Sequence, residues 1–259
     1  MAWTERQRVM LDAMGIRLWS PDGTHSSPAA RVEGAVAAAP EPAARAALPA
    51  PSPATAAVAA RDRAVGVEAM GWEALREAVA ACRACKLCEG RRQTVFGVGH
   101  TSAHWMIVGE APGEQEDRQG EPFVGKSGQL LDNMLRAIGL TRGEADAAQQ
   151  VYIANTLKCR PPGNRNPEPE ELAQCEPFLI RQVELVRPRI ILAMGRFAVQ
   201  SLLRSHEPIG KLRGRVHHYQ GVPLIVTYHP AYLLRNLEDK AKAWDDLCLA
   251  VQTLRSVPA

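Results

Sequence analysis

The chain has 259 residues, of which 46% are hydrophobic, 23% charged and 5% aromatic, and its formal net charge is +3 at pH 7. That length is ample for one sizeable core, and the composition is ordinary for a globular protein. The small net charge does not announce a nucleic-acid binder, the few aromatics argue against a chain that stacks many bases along a strand, and no apolar run approaches the roughly 20 residues of a membrane span.

No secretory h-region opens the sequence, so a cytoplasmic protein without a membrane partner is expected. In that compartment cysteines are metal ligands or free thiols more often than disulfides. There are six: Cys82, Cys85, Cys88, Cys159, Cys175 and Cys248.

In chain order, residues 4–16 can form a short helix with Val9, Met10, Met14 and Ile16 apolar, giving a small element over 1–20. Residues 27–60 contain 16 Ala and 6 Pro. The prolines break what alanine would otherwise make helical, and Leu, Ile and Phe are almost absent, so there is little to bury. This predicts a flexible linker over 21–66 and a folded domain over 67–259. A helix over 72–81 leads into Cys-Arg-Ala-Cys-Lys-Leu-Cys. Beyond it, apolar strands at 105–108, 151–154, 190–193 and 224–227 alternate with helices near 128–139, 169–185, 195–204 and 236–254. That alternation argues for a parallel sheet with helices on both faces, a three-layer α/β/α fold.

Each strand is followed by an unusual loop. The longest lies between Trp105 and Leu135: Gly109-Glu110-Ala111-Pro112-Gly113, an acidic run, then Phe123, Gly125, Ser127 and Gly128 ahead of an amphipathic helix. Connections in α/β units are usually about 2–6 residues, and ligands of open sheets sit at the carboxyl ends of strands. Glu110, Asn155 and His229 all follow strand ends, so the pattern predicts that they converge. A carboxylate there can orient or deprotonate water. An Asn amide suits the edge of a base. Phe123 can stack on a flat ring, and His229 can donate to an oxygen becoming anionic. Taken singly, each has a plainer role: Glu110 a cap, Asn155 a turn residue, Phe123 core, His229 a turn histidine. Leu233, Leu234 and Arg235 read either as a hydrophobic staple or as a wedge with an arginine for phosphate.

Cys82-x2-Cys85 with Cys159 and Cys175 supplies four thiolates for zinc or a cubane iron–sulfur cluster. Cys88 extends the run, so it can exchange with Cys82 as a ligand. Cys248 lies on an apolar helix face and is assigned to the core. Basic residues gather around Arg83–Arg92, Arg160–Arg165, Arg187–Arg189 and Lys211–Arg215; each cluster alone is ordinary solvated surface, and several beside loops are compatible with phosphate contacts.

Three motifs carry a resemblance: GEAPGEQEDRQGEPFVGKSGQLLDNML, NTLKCRPPGNRNPEPEEL with Cys175, and YHPAYLLR. Over about residues 75–255 they resemble the bacterial and archaeal iron–sulfur (family 4) uracil-DNA glycosylases. The resemblance implies a four-stranded parallel sheet between helices, uracil in DNA as substrate, and a [4Fe–4S] cluster on Cys82, Cys85, Cys159 and Cys175, with Cys88 spare. It implies uracil contacts from Glu110, Ala111, Pro112, Phe123, Asn155 and His229, catalytic roles for Glu110 and His229, and DNA contacts from Leu233, Leu234 and Arg235. A monomer acting on single- or double-stranded DNA is expected. Better-understood uracil glycosylases carry an Asp and a bulky ring where this chain has Ala111 and Gly113. The acid role then falls to Glu110, Gly113 leaves the pocket open on one side, and Glu116 becomes the candidate for excluding thymine's methyl group.

Overall fold

The computed structural model describes residues 64–257, all within the unit Ser52–Ala259. The element expected over 1–20 and almost all of the linker expected over 21–66 lie outside the described residues.

The sheet has six strands in the order β1-β3-β2-β4-β6-β5: β1 Val98–Gly99, β2 Trp105–Gly109, β3 Tyr152–Asn155, β4 Ile190–Met194, β5 Val216–Tyr219 and β6 Val222–Thr227. The four strands expected from the sequence, β2, β3, β4 and β6, are mutually parallel. A sheet of four is therefore corrected to a mixed sheet of six, with β1 and β5 pairing antiparallel at the two edges. Both edge strands escape the apolar pattern for one reason. β1 is two half-buried residues, and β5 carries His217 and His218 with Val216 exposed. An edge strand contacts the core on little of its surface and needs no apolar run.

The helices are α1 Trp72–Ala81, α2 Leu87–Gly90, α3 Glu114–Gln119, α4 Lys126–Ala137, α5 Pro169–Val186, α6 Arg196–Leu203, α7 Ile209–Leu212, α8 Pro230–Leu233 and α9 Asp239–Ser256. The parallel strands are buried on both faces, which is why they read as continuous apolar runs. Met106, Val108, Ile191 and Ala193 face Leu179 and Val183 of α5 and Val199 and Leu202 of α6. Trp105, Ile107, Ile190 and Leu192 face Leu131 and Leu135 of α4 and Leu247 and Ala250 of α9. Those are the three layers. A smaller cluster packs Leu75 and Val79 of α1 with Phe96 against Phe178 of α5.

Helix ends follow local chemistry. Glu168 and Glu171 form a reciprocal capping box at the start of α5, with Pro169 at its first position, where a missing N–H costs nothing. The acidic run expected as loop is instead the short helix α3, because Glu114, Glu116 and Asp117 occupy its first turn, where carboxylates oppose the positive end of the helix dipole. No described helix is long and apolar enough to cross a membrane.

Leu131 is wholly buried between α4 and the sheet. Leu131→Ala is expected to lower the unfolding free energy by about 2–5 kcal/mol, read as a reduced midpoint in urea denaturation followed by circular dichroism.

Candidate active site

Strand register brings the loops together. Gly109 pairs with Asn155, and Met194 with Thr227, so the segments after β2, β3, β4 and β6 leave the same edge. They enclose a cavity of about 960 Å³ whose lining includes Glu110, Ala111, Pro112, Phe123, Asn155 and His229. The convergence predicted from strand ends for Glu110, Asn155 and His229 is thus present, and Ala111, Pro112 and Phe123 line the same cavity.

Close packing is permitted by glycine. A Cβ on Gly109 would fall 2.4 Å from Asn155 Oδ1 and 2.6 Å from Phe123 Cζ. Phe123 itself has φ 55°, a conformation costly for a bulky residue. A Cβ on Gly128 would meet the carbonyl oxygen of Phe123. Gly109 under the ring and Gly128 under the backbone together hold Phe123 in that conformation. Its ring is 5% exposed and stacks on His229 at 5.3 Å.

His229 is the N-cap of α8: its Nδ1 accepts the Ala231 backbone N–H at 3.1 Å. A ring nitrogen that accepts carries no proton, so the proton of the neutral imidazole is on Nε2. Burial, with a smaller push from Arg235, drives the imidazolium down to about 4. The ring is therefore a neutral Nε2–H donor at physiological pH.

Glu110 stands beside the start of α6. Burial raises its carboxyl to about 7, while the Phe197 backbone N–H and Arg196 pull in the opposite direction. It is thus both the helix-capping carboxylate of the plainer reading and a group titrating near neutrality. Its own carbonyl accepts from Thr156 Oγ1 (2.6 Å) and Leu157 N–H (3.1 Å), which clamps the turn after β3 to the loop after β2.

Beside Gly113 stands Glu116, the candidate for the side that the glycine leaves without a side chain, and both line the cavity. A Cβ on Gly113 would fall 2.6 Å from Glu116 Oε2. Glu116 is 9% exposed, and its Oε1 accepts the Val124 N–H at 3.1 Å.

The last loop divides its leucines. Leu233 is 1% exposed, whereas Leu234 is 41% exposed. Leu233 faces inward from α8, which packs on α4; this is the staple reading, and a wedge role for it is corrected. Arg235 is exposed and lines the cavity. Among the basic clusters, Arg165 is tied to Glu171 and Glu168, and Arg213 to Asp246, so these guanidinium groups brace the structure.

Several lining residues had no role in the sequence reading. Arg196 follows β4 directly and was legible as a strand-end residue. Asn164 and Asn166 on one rim, His206 and Ile209 on the other, and Tyr228 stacked on Tyr232 at 5.1 Å complete the mouth. No periodicity marks any of these, since each lies in an irregular connection or in the first turn of a helix that follows one.

Next to this site lies a corner lined by thiols. Cys82, Cys85, Cys88, Cys159 and Cys175 border one small cavity with Arg91 and Lys158. Leu87, Leu157 and Leu172 close over Cys159 and Cys175, and Ala111 touches the same cluster. Arg91 Nη1 donates to Cys159 Sγ at 3.0 Å and Nη2 to the Ala80 carbonyl at 2.9 Å. Burial pushes the Cys85 thiol up to about 11 and Cys175 to about 12. Among the described residues, no three His, Cys, Asp or Glu side chains are gathered as a ligand set for a single metal ion. The all-thiol donor set is that of an iron–sulfur cluster or zinc. Cys248 lies on α9, away from this corner, partly buried.

The protonation state of His229 is open to direct measurement. Its ring should titrate near pH 4 by NMR, against an ordinary value near 6.5. Because the folded value is the depressed one, the stability present above about 6.5 is lost as pH falls toward 4, and His229→Asn should flatten that slope.

Residues 96–248 match the Uracil DNA glycosylase superfamily. The chain is 43% identical over 164 residues to the type-4 uracil-DNA glycosylase of Archaeoglobus fulgidus, covering 60% of this chain and 79% of that protein. It is 39% identical over 193 residues to the type-4 uracil-DNA glycosylase of Saccharolobus solfataricus, covering 71% and 87%. A type-5 uracil-DNA glycosylase of Pyrobaculum aerophilum is 34% identical over 146 residues, covering 52% and 64%. With this likeness running through the strands and loops that build the cavity, the chain belongs to the uracil DNA glycosylase superfamily and, within it, to the type-4 uracil-DNA glycosylases.

Proposed function

We propose that the protein removes uracil from DNA by hydrolysing its N-glycosidic bond, releasing free uracil and leaving an abasic site for base excision repair. The observation that carries this reading is the meeting of Asn155, His229, Glu110 and Phe123 on one cavity at the carboxyl edge of the parallel strands.

The target nucleotide leaves the stack to enter the cavity. Leu234, exposed beside Arg235, fills the vacated space while Arg235 meets the backbone. Phe123 forms the floor under the base, and the Asn155 amide pairs with its edge. Glu116, packed against Gly113, occupies the side where thymine would carry its methyl group. As the bond to the sugar breaks, charge builds on uracil, and the His229 Nε2–H donates to the oxygen that receives it. A neutral donor suits this role, since it places no full positive charge in the empty pocket. Glu110 in its ionised form draws a proton from the water that adds to the sugar carbon. Among the described residues the cavity lining contains no lysine, in keeping with hydrolysis and against a Schiff base with strand cleavage.

Cys82, Cys85, Cys159 and Cys175 would hold a [4Fe–4S] cluster, with Arg91 donating to the Cys159 sulfur and Cys88 as the spare thiol. Bound there, the cluster would link the segment after α1 to the loop after β3. A covalently trapping relative would need a nucleophilic histidine on that loop, and residues 156–168 contain none.

Three measurements test this reading. With a uracil-containing oligonucleotide, kcat/KM should rise with pH through about 7 as Glu110 ionises, and Glu110→Gln should abolish that limb; a wild-type limb unchanged in the variant removes the base role. Leu234→Ala should reduce excision from duplex DNA with little loss of stability, whereas Leu233→Ala should cost about 2–5 kcal/mol of stability. The purified protein should be brown and contain iron, with Cys175→Ser losing both; a colourless protein with stoichiometric zinc overturns the cofactor assignment.

A further inference from the structure

Lys158 is among the largest fully buried side chains of the described residues, 1% exposed. A lysine taken wholly out of water is costly unless its ammonium is paired. Among the described residues no carboxylate forms a salt bridge with it. Its Nζ donates to the backbone carbonyl of Asn155 at 2.7 Å and to Gln182 Oε1 at 2.6 Å. Gln182 is itself wholly buried in α5, and its Nε2 donates to the Phe96 carbonyl at 2.8 Å and the Tyr152 hydroxyl at 3.0 Å. Tyr152 begins the strand that Asn155 ends. The carbonyl of Lys158 accepts the Val95 N–H at 2.8 Å.

The network encloses the turn from Asn155 to Lys158. Thr156 N–H donates to Gly109, and Thr156 Oγ1 and Leu157 N–H both donate to Glu110. Those bonds hold the turn from the side of the loop after β2. The Lys158 ammonium holds it from the opposite side, across the ends of the turn, and fixes it to α5. Such a buried network, when fully satisfied, rigidifies what it holds. Asn155 has no freedom left except about its own side-chain torsions.

The geometry points to Lys158 as a positioning residue for base recognition: its ammonium, anchored by Gln182, fixes the backbone of Asn155 and so the aim of the amide at the edge of the base. This assignment rests on Asn155 reading the base, as proposed above. Lys158 touches neither the cavity nor the base, so it acts through Asn155.

Lys158→Met keeps the length and apolar stem of the side chain and removes the donors. Iron content and far-ultraviolet circular dichroism of the full chain should stay close to wild type. On a uracil-containing oligonucleotide, kcat/KM should fall about 10–100-fold, the range usual for loss of a group that orients an active one. Inhibition by free uracil should weaken in parallel, while affinity for abasic-site DNA, which has no base to read, should not change. Asn155→Ala and the double variant complete the cycle. If Lys158 acts through Asn155, the double variant is no worse than Asn155→Ala alone; additive losses overturn the assignment, as does a wild-type kcat/KM in Lys158→Met. If Asn155→Ala excises uracil normally, it is the reading of the site that fails. Should Lys158→Met not fold, Gln182→Leu removes the anchor instead and must give the same selective loss of uracil over abasic-site binding; an equal loss of both overturns the proposal.

Discussion

The site depends on the approach of Asn155 and Phe123 over the Cα of Gly109. Parallel pairing sets Gly109 opposite Asn155, and the absence of a side chain at Gly109 leaves the space both groups use. The constraint propagates. Phe123 can come this close only with a left-handed backbone, and that backbone fits only because Gly128 lies beneath its carbonyl. Gly128 is in the first turn of α4, so the start of this helix, the floor of the cavity and the strand edge form one rigid assembly. Strain of this kind persists only where the surroundings over-determine it.

Electrostatics at the same edge follow from desolvation. Burial raises the Glu110 carboxyl and lowers the His229 imidazolium, because in each case it disfavours the charged form. The outcome is a carboxyl that titrates near neutrality in the same cavity as a histidine that stays uncharged. Separated protonation behaviour of this sort lets one cavity offer both a base and a hydrogen-bond donor. The helix-capping bond from Phe197 and the neighbouring Arg196 keep Glu110 from rising further. Capping is therefore compatible with the base role proposed for the same carboxylate.

The thiol corner and the cavity share a wall. Ala111 of the loop after β2 touches the cluster of Cys159, Cys175 and Leu157, and Lys158 borders the thiols while holding the Asn155 carbonyl. Four consecutive residues, Asn155 to Lys158, therefore serve both. A metal group bound by the cysteines would stiffen the loop that presents the Asn155 amide, a structural part that lies outside the proposed chemistry.

Local pattern by itself determined much. The four parallel strands, the principal helices and the loops that carry Glu110, Asn155 and His229 were legible because strand burial on both faces and helix amphipathicity both leave a periodic trace in neighbouring residues. The motif residues then marked the family. Tertiary structure alone decided the rest. It set the strand order and the two edge strands, whose small buried surface leaves no such trace. It turned Leu233 inward and Leu234 outward, though the two are chemically identical neighbours. It placed Lys158, polar in any sequence scale, among the most deeply buried side chains. These outcomes share one physical reason: burial, and the protonation states that follow from it, depend on which distant segments pack against a residue, and that information is not carried by the residues on either side of it.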